Sequence, residues 1–301
     1  MDIMRRIRRL LGKPTRLPYH LHPAELATPR AAPRERAREI ETFLRSLDQA
    51  DDGARGYLET HMARLVRTLT MVPPPGRTRR ALELGAYMQM TPALGCVFGY
   101  DVRGAYYGPL GRVDQKSVSA GGKEVFRCET DLFDAERDAF PYKDGSFDVV
   151  LCCELIEHLL HDPMHMLLEI NRVLADGGAM LLTTPNIASY TAVARILNRK
   201  EHPQLFSRYA DPKGEFQDTE IPHVREYTPD EVSDAAVAAG FEVEYLFTEK
   251  VAGYESDLYF RDLLRQMDYP AELRGEQTYM RARKRDGARV TRYPSFLYEG
   301  C

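Results

Sequence analysis

The side chains best suited to acid–base or ligand chemistry are concentrated in the hexapeptide ELIEHL, residues 154–159. Glu154, Glu157 and His158 stand three and four residues apart, so one helical turn would place all three on the same side. Two carboxylates and an imidazole are suitable ligands for a divalent ion. A histidine can also accept a proton near neutral pH. A second polar cluster, HVREY at residues 223–227, precedes a late helix.

The apolar patterns predict alternating strands and helices along most of the chain. The longest helix between strands is predicted over residues 162–175. This alternation predicts an α/β fold: a Rossmann-like, doubly wound, mostly parallel seven-stranded sheet with an N-terminal helical extension. The predicted strands cover residues 80–85, 101–107, 124–128, 147–153, 178–183, a segment that begins at 241, and 276–284.

In an open parallel sheet, ligands bind beyond the carboxyl ends of the strands. The cluster ELIEHL directly follows the predicted strand over 147–153, so it would face such a binding site. The HVREY cluster leads into a helix with clear start signals: Thr228 as N-cap, Pro229 at the first helical position and Glu231 to close a capping box.

Residues 1–75 form an extension of the main domain, which would span 76–301. Residues 14–35 are rich in proline and predict a surface linker. Residues 1–13 place apolar side chains opposite four arginines, which fits either a helix docked on the protein or peripheral contact with an anionic membrane surface. Two amphipathic helices, predicted over 34–49 and 53–71, would form a helical cap.

The composition is that of a globular protein, since 44% of the 301 residues are hydrophobic and 29% are charged. The formal net charge of -4 gives no general attraction to phosphate backbones, so we expect no nucleic-acid partner. The sequence has neither a transmembrane-length apolar run nor the pattern of a signal peptide. The five cysteines contain no CxxC pair, which predicts reduced thiols in a cytoplasmic protein.

A long segment, Phe140 to Asn186, resembles the middle of the class I S-adenosylmethionine-dependent methyltransferases, of the type that includes ubiquinone-biosynthesis O-methyltransferases. Its sequence is FPYKDGSFDVVLCCELIEHLLHDPMHMLLEINRVLADGGAMLLTTPN. A later segment, HVREYTPDEVSDAAVAAGFEV, is similar to the C-terminal part of the same group. The resemblance covers residues 80–250 and implies methyl transfer from S-adenosylmethionine to an oxygen of a small molecule or saccharide.

The resemblance also implies a cofactor site at the ends of the first four strands. Asp131 would face the adenine amino group, Glu83 would lie near the methionine amine, and the segment ending in Glu154 would pass the sulfonium. The full set that the resemblance assigns to the cofactor is Glu83, Gly85, Ala86, Tyr87, Tyr106, Asp131, Leu132, Cys153 and Glu154.

Three positions at or beside this site depart from the family pattern. Tyr87 and Gln89 stand where the family has glycines, and Tyr106 stands where it has the acid that holds the ribose hydroxyls. A second register would make Asp101 that acid, but the surrounding glycines fit the first register better. A charge-assisted contact to ribose is worth about 1.5–3 kcal/mol, so we expect cofactor binding that is weakened or rebuilt around tyrosine.

For methyl transfer to a hydroxyl, the protein must position the acceptor and remove its proton. His158 is the first candidate for the base, and His223 with Arg225 forms a second candidate group. An equally weighted interpretation makes His158 a helix-capping or cofactor-adjacent residue. Some ubiquinone-type relatives use such acids and a histidine for metal, which makes Glu154, Glu157 and His158 a secondary metal set, although the first expectation is no metal.

The acceptor lid is predicted to include an insertion at residues 198–222, whose aromatic and charged residues suit a polar small molecule or glycan. Two other functions stay open. One is a methyltransferase-fold binding or scaffold protein whose cofactor site is degenerate. The other is a protein of the same fold in which the site takes a different ligand.

Overall fold

The computed structural model describes residues 34–199, 201–207, 222–251, 258–267, 269–285 and 293–299. Its strands are β1 (Arg80–Leu84), β2 (Asp101–Tyr106), β3 (Val113–Ala120), β4 (Lys123–Leu132), β5 (Phe147–Cys153), β6 (Leu174–Pro185), β7 (Phe241–Glu249) and β8 (Gln277–Lys284). Its helices are α1 (Arg34–Ser46), α2 (Asp52–Leu69), α3 (Thr91–Cys96), α4 (Pro163–Val173), α5 (Tyr190–Asn198), α6 (Pro229–Ala238) and α7 (Leu258–Gln266), with a 3-10 turn at Ile156–His158. The predicted helix within 1–13 and most of the predicted lid lie outside the described residues.

The strands form one sheet in the order β3-β4-β2-β1-β5-β6-β8-β7. The five central strands, from β4 to β6, are parallel, whereas β8 pairs antiparallel with both β6 and β7. The predicted doubly wound, mostly parallel α/β sheet is therefore confirmed. The predicted number of seven strands is wrong, because the described part of the chain forms eight.

The additional strand is β3, which forms an antiparallel hairpin with β4 at the edge of the sheet. Its side chains are exposed or half-buried along its whole length, so it lacks the apolar run that marks a buried strand. The hairpin turn consists of Gly121 and Gly122, both with positive φ. Because pairing with β2 and β3 continues beyond residue 128, β4 ends at Leu132 and its predicted end at residue 128 is four residues too early.

Helices cover both faces of the sheet and enclose two apolar cores. α1, α2 and α3 pack on one face, where Leu44, Met62 and Leu94 contact side chains of β5 and β6. α4 and α6 pack on the other face, where Phe147 and Ile170 lie in the core. α6 begins as predicted, with Thr228 as N-cap and a complete capping box.

The helical cap is tied to the edge hairpin by Asp48, in the connection between α1 and α2. Its carboxylate accepts hydrogen bonds from the backbone N–H groups of Gly121 and Gly122, and its own N–H donates to the carbonyl of Ser119 at 2.8 Å. The extra hairpin therefore gives the cap a second attachment besides its apolar core. None of the helices in the described ranges has the length and apolar character that a membrane span requires.

Candidate active site

A cavity of about 750 Å³ opens at the carboxyl ends of β1, β2, β4 and β5. Since β1 and β5 are neighbours from which the chain winds to opposite sides of the sheet, the cavity lies at the switch point where ligands bind in open α/β folds. Of the residues that the sequence assigned to the site, the lining includes Gly85, Tyr87, Gln89, Tyr106, Cys153, Glu154, His158 and His223. The lining does not include Glu83, Ala86, Asp131, Leu132, Glu157 or Arg225.

The turn after β1 reverses direction without the family's later glycines. Gly85 has φ +66°, and a Cβ added there would meet nothing within 4 Å, so the turn leaves open space beside its backbone. The second left-handed residue is Met88, also at φ +66°, whereas Tyr87 and Gln89 do not adopt positive φ. Ala86, which donates its N–H to the carbonyl of Ala105 at 3.0 Å, is buried behind the turn.

Tyr87 and Tyr106 contact each other at the cavity wall. Their rings meet edge to face with centroids 5.2 Å apart. Burial raises the pKa of Tyr106 well above its usual value, and a hydrogen bond with Tyr87 raises it further. Tyr87 itself is 62% exposed. Two hydroxyl groups thus stand together at the end of β2, where the family pattern has a carboxylate.

Asp131 lies within β4, and its carboxylate is bound by other side chains. Arg103 donates to both carboxylate oxygens, at 2.5 and 2.8 Å, and the hydroxyl of Tyr142 donates at 2.7 Å. Two acids beyond this strand line the cavity, Asp134 and Glu136, neither of which the sequence assigned to the site, and the Glu136 carboxylate already accepts the N–H groups of residues 160–162. Leu132, beside Asp131, is buried.

Glu83 is buried beneath α3 rather than in the cavity wall. Glu83 is only 4% exposed, and its Oε2 has no hydrogen-bond partner in the described part of the chain. Burial raises the pKa of Glu83 to about 7, although the nearby Thr91 hydroxyl offsets part of this effect. A carboxyl group in this state holds a proton up to neutral pH.

Glu154 occupies the carboxyl end of β5 with a left-handed backbone, φ +51°. Its carboxylate accepts hydrogen bonds from Arg64, Thr183 and Gln277. Beside it, burial raises the pKa of the Cys153 thiol well above its usual range, which keeps this cavity-lining sulfur protonated and unreactive.

Glu157, His158 and His223 come together at one end of the cavity. Each offers one ligand atom, and these atoms lie within 4.8 Å of one another. Oε2 of Glu157 accepts a hydrogen bond from the Thr184 hydroxyl at 2.9 Å. Its Oε1 is buried and has no hydrogen-bond partner among the described residues. Burial raises the pKa of Glu157 well above its usual range, and the charge of Glu154 adds to this effect.

His223 is oriented by a residue that the sequence analysis did not single out for the site. Its Nδ1 lies 3.2 Å from Oε1 of Glu226, a buried carboxylate that also accepts the N–H groups of Leu205 and Phe206. The ring of His223 then packs edge to face on that of His158, with centroids 4.7 Å apart. Glu226 therefore joins the 201–207 segment to the histidine pair.

Arg225 points away from this group. Its guanidinium donates to Glu231 at 2.6 Å, and it lies over the ring of Tyr227 with 5.1 Å to the centroid. Glu231 is also the capping-box residue of α6. Both contacts belong to the start of that helix.

The remaining wall comes from one stripe of α2, in the cap. Tyr57, His61 and Arg64 recur at helical spacing beside the stripe that packs on the sheet. The rings of Tyr57 and His61 contact each other with centroids 4.4 Å apart. Burial and, to a smaller extent, the Arg64 guanidinium lower the pKa of His61 to about 4, so His61 is neutral at pH 7. Only a polar stripe next to the apolar one signalled these residues in the sequence.

The central part of the chain matches a known family. Residues 110–182 match the family described as methyltransferase domain. Among curated proteins, no sequence matches this chain.

Solved structures with similar architecture include S-adenosylmethionine-dependent methyltransferases from Thermotoga maritima and Archaeoglobus fulgidus. The first is 17% identical with a TM-score of 0.46 and covers 82% of this chain and 99% of its own. The second is 15% identical with a TM-score of 0.48 and covers 78% and 100%. A phosphoethanolamine N-methyltransferase from Haemonchus contortus, solved with S-adenosylhomocysteine, is 14% identical with a TM-score of 0.41 and covers 74% and 52%.

Proposed function

Because this chain has the fold of the class I S-adenosylmethionine-dependent methyltransferases, we propose that it transfers a methyl group from S-adenosylmethionine to an oxygen of a small molecule or saccharide. The observation that carries the proposal is the cavity at the switch point of the sheet, with open space beside Gly85. Ligands of open α/β folds bind at this place, and a residue without a side chain allows close approach to the backbone.

The residues present fit the cofactor in a rebuilt form. Gly85 and the end of β1 would hold its methionine part, and the hydroxyls of Tyr87 and Tyr106 would take the ribose hydroxyls in place of the missing carboxylate. Asp134, rather than Asp131, is the acid available on the adenine side, because Arg103 and Tyr142 occupy Asp131. When bound, S-adenosylmethionine supplies a methyl group on a positively charged sulfur.

The histidine pair is the group best placed to remove the acceptor proton. His158 and His223 both line the cavity, and Glu226 fixes the ring of His223 through Nδ1, which directs Nε2 away from Glu226. A base held in this way meets the geometric requirement for proton transfer from a hydroxyl.

The acceptor would lie between the cap and the histidine pair. Tyr57 and His61 on one side and Phe206 on the other offer ring faces against which a flat aromatic or sugar ring can pack.

The four described cysteines are free thiols, which supports a reducing compartment such as the cytoplasm.

Isothermal titration calorimetry with S-adenosylhomocysteine tests the cofactor site. We expect binding to the wild type, and about two- to tenfold weaker binding to Tyr106→Phe, since a neutral hydrogen bond is worth about 0.5–1.5 kcal/mol. Tyr269→Phe is the control, because Tyr269 is an exposed tyrosine that does not line the cavity. An absence of binding at millimolar ligand would exclude the proposed cofactor.

The second candidate function is a binding or scaffold protein with a degenerate cofactor site. The contact between Tyr87 and Tyr106 favours it, because these rings take up room at the strand ends where the family holds a nucleoside. On this alternative, S-adenosylhomocysteine would not bind, and substitution of both tyrosines by smaller residues would restore affinity. Mass spectrometry of any small molecule that copurifies would identify a different ligand.

A further inference from the structure

The carboxylate of Glu154 is held by three elements of the fold. Oε1 accepts hydrogen bonds from the Thr183 hydroxyl at 2.7 Å and from Nε2 of Gln277 at 2.8 Å, which lie on β6 and β8. Oε2 accepts a hydrogen bond from Nη1 of Arg64, on α2 of the cap. The side chains of Arg64 and Glu154 are only 11% and 18% exposed, so the ion pair is largely withdrawn from water.

Arg64 remains charged in this position. Burial lowers its pKa, but Glu154 and Tyr57 raise it by more. The second Nη donates to the hydroxyl of Tyr57, two helical turns earlier on α2, at 2.6 Å. Through these two bonds, one guanidinium joins the cavity face of α2 to the end of β5.

A divalent ion on Glu154 does not fit this arrangement. Both carboxylate oxygens already accept hydrogen bonds, and an ion there would have to displace Arg64 or stand beside its positive charge. The set suggested by the resemblance, Glu154, Glu157 and His158, is therefore not assembled. The third potential ligand near Glu157 and His158 is His223 instead.

We infer that Arg64 is a positioning residue that supplies, from the cap helix, the positive charge that a metal ion would bring to Glu154 in the secondary metal set. It holds the Glu154 carboxylate at the end of β5 and keeps the cavity face of α2 against the sheet. The inference rests on the proposed function only in taking this cavity as the place of methyl transfer.

Titration with Mn²⁺, followed by electron paramagnetic resonance of the free ion, tests this inference without any acceptor. Four forms are compared: wild type, Glu154→Gln, Arg64→Gln and the double variant. We expect Glu154→Gln alone to change the Mn²⁺ affinity of the wild type by less than about twofold. If neither the wild type nor Glu154→Gln binds Mn²⁺, this result also counts as no change. In the Arg64→Gln background, the same substitution should weaken binding at least about fivefold, because the carboxylate is then available as a ligand.

Two results would overturn the inference. A clear loss of Mn²⁺ affinity in Glu154→Gln alone would make Glu154 a metal ligand in the native protein. No effect of Glu154→Gln in either background would mean that Arg64 does not mask a cation site. A purely structural ion pair would not produce the difference between the two backgrounds.

Arg67→Gln is the matched control, because Arg67 lies one turn further along α2 and forms an ion pair with Glu249 at 2.8 Å, outside the cavity lining. It should leave Mn²⁺ binding as in the wild type, so a general loosening of α2 can be recognised. Arg64→Lys keeps the charge and should also behave as the wild type. If Arg64→Gln does not fold by circular dichroism, the effect of Glu154→Gln in the wild-type and Arg64→Lys backgrounds still separates a metal ligand from an arginine partner.

The same wild-type preparation separates this inference from the proposed function. Absence of S-adenosylhomocysteine binding in calorimetry would contradict the cofactor proposal, while the Mn²⁺ titrations would still decide the role of Arg64.

Discussion

The protonated Glu83 should make the stability of this protein fall as the pH rises, and Glu83→Gln should remove that fall. Glu83 lies on β1, one of the central strands, and pairs there with Gly104 and Leu151. Burial raises its pKa from the ordinary value of 4.5 to about 7. Between these two pH values the unfolded chain has released the proton, whereas the folded protein still holds it. Folding therefore takes up a proton in this window, and stability decreases as the pH increases.

The size of the effect follows from the two pKa values. At about 1.4 kcal/mol for each pH unit, the difference between 4.5 and about 7 corresponds to about 3 kcal/mol. The stabilising contribution is fully present below pH 4.5, is lost as the pH rises to about 7, and changes little above that. In Glu83→Gln the side chain has no proton to release, so this part of the pH dependence should be absent.

Urea denaturation of the wild type and Glu83→Gln at several pH values from 5 to 8 measures the effect. The difference in unfolding free energy between the two proteins should shift by about 2–3 kcal/mol in favour of the variant across this range. A constant cost of the buried amide would offset the two curves without changing their relative slope. Glu59→Gln, at an exposed site on α2, should run parallel to the wild type. Parallel curves for the wild type and Glu83→Gln would refute the protonated carboxyl.

Further substitutions separate binding from stability. Asp134→Asn should weaken S-adenosylhomocysteine binding in calorimetry by about tenfold or more, since a charge-assisted contact is worth about 1.5–3 kcal/mol. Asp131→Asn should mainly lower thermal stability, because it breaks the pair with Arg103. The opposite pattern would return the adenine role to Asp131. Glu226→Ala should destabilise the fold by about 2–4 kcal/mol in urea denaturation, because it leaves two backbone N–H groups in the 201–207 segment without an acceptor, and a change below about 1 kcal/mol would contradict the role of Glu226 in joining that segment to His223.

The parts of the fold that the sequence predicts well are those with continuous burial. β5 is buried along almost its whole length, and its predicted bounds, 147–153, agree with the structure. The start of α6 could be predicted from the sequence because its N-cap, first-turn proline and capping box are local signals. β3 has neither signal, since it is held by pairing with β4 rather than by an apolar face.

The extent of β4 changes which acid is available on the adenine side of the proposed cofactor site. With β4 predicted to end at 128, Asp131 falls just beyond the strand, where a ligand-binding acid is expected. β4 continues to Leu132, pairing with β2 over residues 130–132 and with β3 up to Asp131, so Asp131 is a strand residue beside Arg103 and the first acid beyond the strand is Asp134. Arg64 and Glu226 lie in polar patterns that the sequence shows, but their partners lie far away along the chain, so these patterns do not predict what the two side chains bind.

The turn after β1 shows why missing glycines need not mean a lost cofactor site. Its two ends are fixed: Ala86 is hydrogen-bonded to β2, and Met90 is buried in the core beneath the cap. The chain reverses between them with one left-handed residue, Met88, at a cost of about 1–2 kcal/mol. Since Tyr87 and Gln89 do not adopt positive φ, side chains at these positions add no such strain. The glycine pattern therefore reports the shape of the turn, and cofactor binding depends on what the side chain of Tyr87 and its partner Tyr106 offer to the ligand.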